Sequence, residues 1–156
     1  MGGGGGGIYV AAGTANISNS TLSGNGARSR SGGGELASTG TVTVQNSIVA
    51  NSPKEGNCFG TITSKGYNLS SDGTCSFNDI GDLNNTDPKL GPLQNNGGQT
   101  QTMALPTGSP AIDAGNPSGC TDNHGKLLKT DQRGQPRPDK EDARGCDMGA
   151  YESQKD

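Results

Sequence analysis

One pattern that occurs twice limits what this chain can fold into. The first copy, GGGIY followed by NISNSTLS, lies between Gly5 and Ser23, and the second, GGGEL followed by TVQNSIVA, lies between Gly32 and Ala50. Equivalent residues are 27 positions apart. They are Gly5 and Gly32, Ile17 and Val44, Asn19 and Asn46, and Leu22 and Val49. A fixed period of this size is typical of a solenoid, in which each repeat is one layer that buries its apolar residues only against its neighbours.

The composition favours a stack of short strands over a thick hydrophobic core. Leu, Ile, Val and Phe make up only 21 of the 156 residues, whereas Gly, Asn, Ser and Thr make up 71. Such a low apolar fraction often indicates disorder. However, a net charge of −3 is too small for a self-repelling coil, and the apolar residues are periodic. Strands that bond through their backbones, with small residues at the corners, fit this composition.

The period of the two copies predicts an interruption of the strand and an asparagine ladder. Ile17 and Leu22 fall on opposite strand parities, so a bend or a second short strand must lie between them if both point inward. Asn19 and Asn46, which the period stacks, are expected to form an asparagine ladder, with each side-chain amide bonded to the next layer. The alternative interpretation is that both are ordinary turn residues.

The rest of the chain divides into a third layer and a terminal region. Residues 57–78 resemble a degenerate third layer, and the periodicity fails after Ile80. Because the end of a stack exposes an unpaired layer, a cap is expected there. We therefore assign residues 1–80 to coils at the C-terminal end of a longer solenoid, and residues 81–156 to a capping region of the same structural unit.

Several segments, taken in order, resemble the C-terminal part of a large group of bacterial surface proteins. These segments are GGGIY, NSTLSGN, NSIVAN, NCFGTITSKGYNLSSDGTCSF, DLNNTDPKLGPLQNNGGQTQTMALPTGSPAIDAGN, DQRGQPRP and CDMGAYE. The group carries right-handed parallel β-helix repeats that end in a choice-of-anchor Q domain. It is related in style to polymorphic outer-membrane proteins and to β-helix enzymes that act on polysaccharides. The resemblance covers nearly the whole chain and is most specific over residues 82–152.

The resemblance implies an all-β fold. The expected architecture is a right-handed parallel β-helix of about three coils, followed by a loop-rich, disulfide-stapled C-terminal cap. It also implies secretion and display on a bacterial cell surface, but no single activity. The chain starts within the coils, with Met1 followed by six glycines rather than a signal peptide, and stops soon after Glu152. We therefore expect a fragment or a recombinant piece, with the anchor belonging to the parent protein.

The four cysteines are expected to form disulfides. Four cysteines allow three pairings. In one of them Cys58–Cys75 staples the last coil and Cys120–Cys146 closes the cap. Zinc or free thiols are the alternatives, but there is no Cys-x-x-Cys spacing, and His124 is the only histidine. Two disulfides would indicate an oxidising compartment and would compensate for the small apolar content.

The carboxylates do not form a recognisable catalytic row. A glycosidase needs two carboxylates facing one linkage, and a lyase needs a base together with cations. The two clear coils offer Glu35 alone, with Arg28 and Arg30 on a turn. Other carboxylates cluster later in the chain, at Asp79, Asp82, Asp87, Asp122, Asp131, Asp139, Glu141, Asp142, Asp147 and Glu152. The sequence therefore predicts no catalytic residues.

Two groups in the terminal region have both a functional and a structural interpretation. Asp131, Arg133, Arg137 and Asp147 could form a site, but Arg forks that hold irregular loops together explain them better, as a network within the cap. His124 beside Asp122 suggests a dyad. Both residues lie among turn formers, and no nucleophile motif lies near them.

No cofactor is predicted, and calcium is kept as the one alternative. Asp79–Asp87, with carbonyls from Asn84 and Asn85, offers oxygen ligands, but Asx turns explain the same residues. The Gly2–Gly7 run lacks the Gly-Lys-Ser/Thr of a phosphate loop. Net acidity with 3% aromatic residues argues against nucleic acid. No run approaches the ~20 apolar residues of a membrane span, so direct membrane insertion is not expected.

Three functional hypotheses remain open. The first is a non-enzymatic extracellular or cell-surface segment with a structural, adhesive or display role. The second is the end of a polysaccharide lyase or hydrolase whose catalytic coils are missing from this chain. The third is a filament subunit that assembles end to end through open layers. The corresponding partners are extracellular polysaccharide or other copies of the chain.

Overall fold

The computed structural model describes residues 5–28, 32–140 and 145–154. Arg30, Glu141 and Asp142, which are named above as charged residues of the sequence, lie outside these ranges, and so does Met1. The first glycines of the Gly2–Gly7 run lie outside them as well. No segment that the structure describes forms a helix with the length and hydrophobicity needed to cross a bilayer.

The described residues form nine strands and no helix. The strands are β1 (Ile8–Val10), β2 (Thr14–Ser18), β3 (Thr21–Ser23), β4 (Leu36–Gln45), β5 (Ile48–Ala50), β6 (Cys58–Ser64), β7 (Leu69–Ser70), β8 (Leu93–Gln94) and β9 (Thr102–Met103). The longest, β4, contains the Thr41-Val42-Thr43-Val44 run, whose β-branched side chains fit a pleated surface. The predicted all-β class is confirmed at this level.

Two of the three sheets are parallel. In the first, β4 pairs with both β1 and β2 on one side and with β6 on the other. In the second, the order is β3–β5–β7. The third is the antiparallel β8–β9 hairpin. Ile17 is the register partner of Val44, and Leu22 is that of Val49. The 27-residue spacing of the sequence is therefore the register of the β2–β4 and β3–β5 pairs, whereas the pairs that β4 and β5 form with the third layer have shorter spacings.

The bend between the two parallel sheets lies at the asparagines. Asn19 separates β2 from β3 with φ 47°, and Asn46 separates β4 from β5 with φ 49°. Asn occupies this left-handed region more readily than most residues with a side chain. The turn reverses the parity of the chain, so that Val44 and Val49 both enter the interior and are fully buried.

Two apolar clusters fill the interior. One contains Leu36, Val42, Val44 and Val49 together with Phe77 and the Cys58–Cys75 pair. The other joins β5 and β7 to later residues, and consists of Ile48, Ala50, Leu69, Leu105, Ala111 and Met148. Each fully buried aliphatic side chain contributes roughly 1.5–3 kcal/mol. The second cluster therefore attaches the terminal region to the strands.

Both disulfides have the pairing considered in the sequence analysis. Cys58 is bonded to Cys75, and Cys120 is bonded to Cys146. The described residues contain no free cysteine. The first bond links β6 to the loop after β7, and the second closes a segment of the terminal region.

The terminal region lies both at the end of the strands and beside them. Leu83 forms a parallel bridge with Leu69, so parallel pairing continues past residue 80. Further along the chain, Gly149 donates its N–H to the carbonyl of Asn46, and Ala150 donates to Oγ1 of Thr21. Residues near the C-terminus therefore contact the first two strand layers directly.

Candidate functional site

A ladder of side-chain oxygens runs along the bend between the parallel sheets. Ser20 donates its backbone N–H to Oγ of Ser47 at 3.1 Å, and Ser47 donates to Oδ1 of Asn68 at 3.0 Å. Asn68 in turn donates its backbone N–H to Oδ1 of Asp82 at 2.8 Å. Each step joins one layer to the next and satisfies an N–H that the turn removes from the sheet. This ladder was not predicted from the sequence, although Ser20 and Ser47 share the repeated Asn-Ser step.

Asn46 joins the two asparagine corners to the terminal region. Its Nδ2 donates to Oδ1 of Asn19 and to the carbonyl of Asp147, both at 3.0 Å. Its Oδ1 accepts the N–H of Asn116 at 3.1 Å. Sulfur atoms of the Cys120–Cys146 disulfide also lie within reach. Because Nδ2 carries only two hydrogens and sulfur accepts weakly, the two oxygens are its main acceptors. The predicted asparagine ladder is thus present as a bond between Asn19 and Asn46.

The four residues predicted to form the cap network lie close together, but a fifth residue connects them. Arg133 pairs with Asp131 at 2.8 Å, whereas Arg137 pairs with Glu152 at 2.5 Å. Oδ2 of Asp131 also accepts the N–H of Glu152 at 3.0 Å. Asp147 donates its own N–H to Oε2 of Glu152 at 3.2 Å. Glu152 was not among the predicted members of the network, because nothing in the order of residues places it beside Arg137.

The carboxylate of Asp147 binds backbone N–H groups from two other segments. It accepts the N–H of Asp113 at 2.9 Å and that of Ser153 at 2.6 Å. Arg137 likewise donates to the carbonyl oxygens of Gly149 at 2.8 Å and Tyr151 at 3.2 Å. Charged groups that bind irregular backbone in this way hold loops in place. The arrangement supports the structural interpretation of the network.

Glu152 is the most perturbed acid of this centre. Its side chain is fully buried, and burial raises its pKa to about 7, although the Arg137 guanidinium acts in the opposite direction. Oε2 accepts the bonds from Arg137 and from the N–H of Asp147, whereas Oε1 is buried and has no hydrogen-bond partner among the residues that the structure describes. Since an uncompensated oxygen disfavours the charged form, the raised pKa has a visible cause.

The other candidate residues form turns. Asp122 accepts the backbone N–H groups of His124 and Lys126, and these bonds lower its pKa. Asp82 and Asp87 likewise accept nearby backbone N–H groups. Across the described ranges, no three or more His, Cys, Asp or Glu side chains converge as a metal site would require. The Asp122–His124 pair therefore has the geometry of an Asx turn and not of a dyad.

Comparison with protein-family models, with curated proteins and with solved structures found no match. The chemistry of the chain is therefore inferred from its own geometry. A buried ion-pair network, a ladder of polar side chains and two disulfides all act to hold backbone in place.

Proposed function

We propose that this chain is the C-terminal end of an extracellular right-handed parallel β-helix of about three coils, closed by a stapled cap. Its role is structural, with adhesion or display at a bacterial surface as the setting. One observation supports this most directly. Three strand layers pair in parallel in both sheets, with Ile17 opposite Val44 and Leu22 opposite Val49. Layers that pair in parallel with their neighbours can continue for many repeats.

The disulfides support an oxidising location. Both form between cysteines of the same chain, and such bonds persist mainly in secreted and surface proteins. In a chain with little apolar surface, closed loops of this size each contribute roughly 3 kcal/mol by restricting the unfolded state. An oxidising location is thus consistent with a chain that depends on disulfides for stability.

The surfaces of the strands support a non-enzymatic role. None of the nine described strands contains an acidic or basic residue. Glycoside hydrolysis needs a pair of carboxylates that face one sugar linkage. Asp131 and Glu152, two carboxylates of the described residues, are instead buried and paired with arginines.

Two assays on the full-length parent protein test this proposal. Intact cells that produce it are treated with an added protease, and the purified protein is incubated with neutral and uronate polysaccharides. We expect cleavage on intact cells and no release of reducing or unsaturated sugars. Protection until the cells are lysed would contradict the surface location, and sugar release that depends on the protein would favour the enzyme hypothesis.

End-to-end assembly is a second candidate, favoured by the open edges of the first sheet. Among the described residues, β1 and β2 pair with β4 on one side only, and β6 pairs with β4 alone. Tyr9 on β1 and Phe59 on β6 are each 41% exposed. Unpaired parallel edges at both ends can join head to tail into filaments. Light scattering that rises with concentration would support this candidate, and a monomer at high concentration would exclude it.

A further inference from the structure

A groove with both polar and apolar lining lies between the first strand layer and the terminal region, and its wider part borders the buried ion-pair network described above. Its narrower part has a volume of about 230 Å³ and is bordered by β3, by the β8–β9 hairpin and by the segment around Tyr151. A wider part of about 510 Å³ adjoins it, because both parts are lined by Thr21, Gln132 and Ala150. Together they reach the size of sites that bind small molecules.

Three side chains that line the groove have hydrogen-bonding capacity left over. Asn25 donates Nδ2 to Glu35, which leaves its Oδ1 as an acceptor. Gln132 donates Nε2 to Oγ1 of Thr100 at 2.8 Å, which leaves its Oε1. Oγ1 of Thr21 accepts from Ala150, so its own proton remains available. In the part of the chain that the structure describes, these remaining groups have no protein partner.

Glu35 fixes the position of Asn25. Its two carboxylate oxygens accept the backbone N–H of Asn25 at 2.7 Å and Nδ2 at 2.5 Å. The side chain is fully buried and forms no ion pair with a described residue, and burial raises its pKa. A buried carboxylate without a cation is unfavourable. Its evident effect is to hold Asn25 in one orientation at the groove, and a fixed orientation strengthens binding.

Tyr151 gives the groove an apolar surface. Cζ of Arg133 lies 3.6 Å from the centroid of its ring and covers one face. Arg133 does not line the narrower part, whereas Tyr151 does. The ring therefore meets the groove through its other face or its edge. One aromatic surface beside several amide and hydroxyl groups suits a ligand with both apolar faces and hydroxyl groups.

The charges of the groove select against acidic ligands. The narrower part is lined by no charged residue. The wider part contains Asp131 and Arg137, which are already paired, and Asp122, whose carboxylate forms no ion pair with a described residue. The uncompensated charge is thus negative, and like charges repel.

From these contacts we infer that the groove binds a neutral oligosaccharide. One sugar ring lies against Tyr151, and its hydroxyl groups bond to Asn25 Oδ1, Gln132 Oε1 and Thr21 Oγ1. Glu35 acts as a positioning residue for Asn25. This inference goes beyond the structural role, because the groove would bind whether or not the chain is displayed on a cell.

The test titrates the purified, folded chain with maltohexaose, cellohexaose and chitohexaose, and with hexagalacturonate as the acidic comparison. Binding is followed by calorimetry and by NMR shifts. We expect at least one neutral probe to bind, with shifts at Gln132 and Tyr151, and weaker binding of the acidic probe. Gln132→Ala removes one hydrogen bond and should weaken binding by roughly tenfold. Gln45→Ala removes an amide outside the groove and should leave the affinity unchanged.

Three results would overturn the inference. They are no binding of any neutral probe at millimolar concentration, tighter binding of hexagalacturonate, and equal affinity for Gln132→Ala and the parent chain. Urea unfolding of both variants shows that each is folded. The outcome is separate from that of the surface assay, because a chain that binds sugar but stays inside the cell would contradict only the proposed location.

Discussion

At the scale of single residues, Asn46 carries more structural connections than any apolar side chain near it. It is 1% exposed, and it links the corner of the neighbouring layer to the terminal region through Asn19, Asp147 and Asn116. A buried polar group that loses its partners costs about 1–3 kcal/mol, and several groups lose theirs together when this amide is removed. The buried amide of Asn46 therefore holds separate segments together through hydrogen bonds.

We therefore expect Asn46→Ala to lower the free energy of unfolding by about 3 kcal/mol or more, measured by urea denaturation. Asn46→Gly keeps the left-handed backbone accessible and should be less damaging by roughly 1 kcal/mol. Asn51 has a similar φ of 61° but is exposed, so Asn51→Ala is the matched control for the backbone effect. Equal losses for Asn46→Ala and Asn51→Ala would show that the buried bonds contribute little.

Glu152 makes stability depend on pH. Burial raises its pKa from 4.5 to about 7, so the folded chain holds a proton that the unfolded chain releases between these values. The folded state binds more protons there, and the free energy of unfolding therefore falls as pH rises from 4.5 to 7. We expect urea midpoints to show this fall in the parent chain relative to Glu152→Gln.

Glu55→Gln, which changes an exposed acid, is the control for this pH dependence. It should retain the slope of the parent chain. If Glu152→Gln shows the same change of stability with pH as the parent chain, the Glu152 carboxylate is ionised throughout this pH range. The ion pair with Arg137 then stabilises the charged form by more than burial destabilises it.

At the scale of elements, the disulfides connect segments that have few strands of their own. Cys120 and Cys146 are 26 residues apart, and both are fully buried beside the Asn46 corner. Replacing both with Ala should lower the free energy of unfolding by about 3 kcal/mol, because the unfolded chain gains the freedom of an open loop. Thermal unfolding with and without reductant measures the effect.

A result of four alkylatable thiols in the native protein would contradict this account of the disulfides. The Cys58→Ala/Cys75→Ala variant is the matched comparison, since its bond closes a shorter segment of 17 residues. It should be destabilised slightly less than the Cys120→Ala/Cys146→Ala variant.

At the scale of the whole molecule, the sequence predicted what repeats and missed what does not. The pairing of Ile17 with Val44 could be read from the period, because a layered arrangement turns sequence spacing directly into register. The period does not predict the Arg137–Glu152 pair or the hydrogen bond from Ala150 to Thr21. They join segments that have no shared period, and the residues between them are turns, so no local pattern fixes their approach.

The groove was missed for the same reason. Asn25 and Gln132 lie more than a hundred positions apart, and each resembles an ordinary loop residue on its own. Only the packing of the terminal region beside the first layer brings them to one surface. The clue in the sequence was Glu35, the one charged residue beside a strand of the two clear coils, which has no obvious partner until Asn25 is placed against it.

The parallel register of the two sheets is the central claim, and NMR of the labelled chain tests it most directly. We predict cross-strand contacts between the backbone protons of Ile17 and Val44 and between those of Leu22 and Val49, in the pattern of parallel strands. An antiparallel pattern at these positions, or no contact between the members of either pair in the folded protein, would contradict the account.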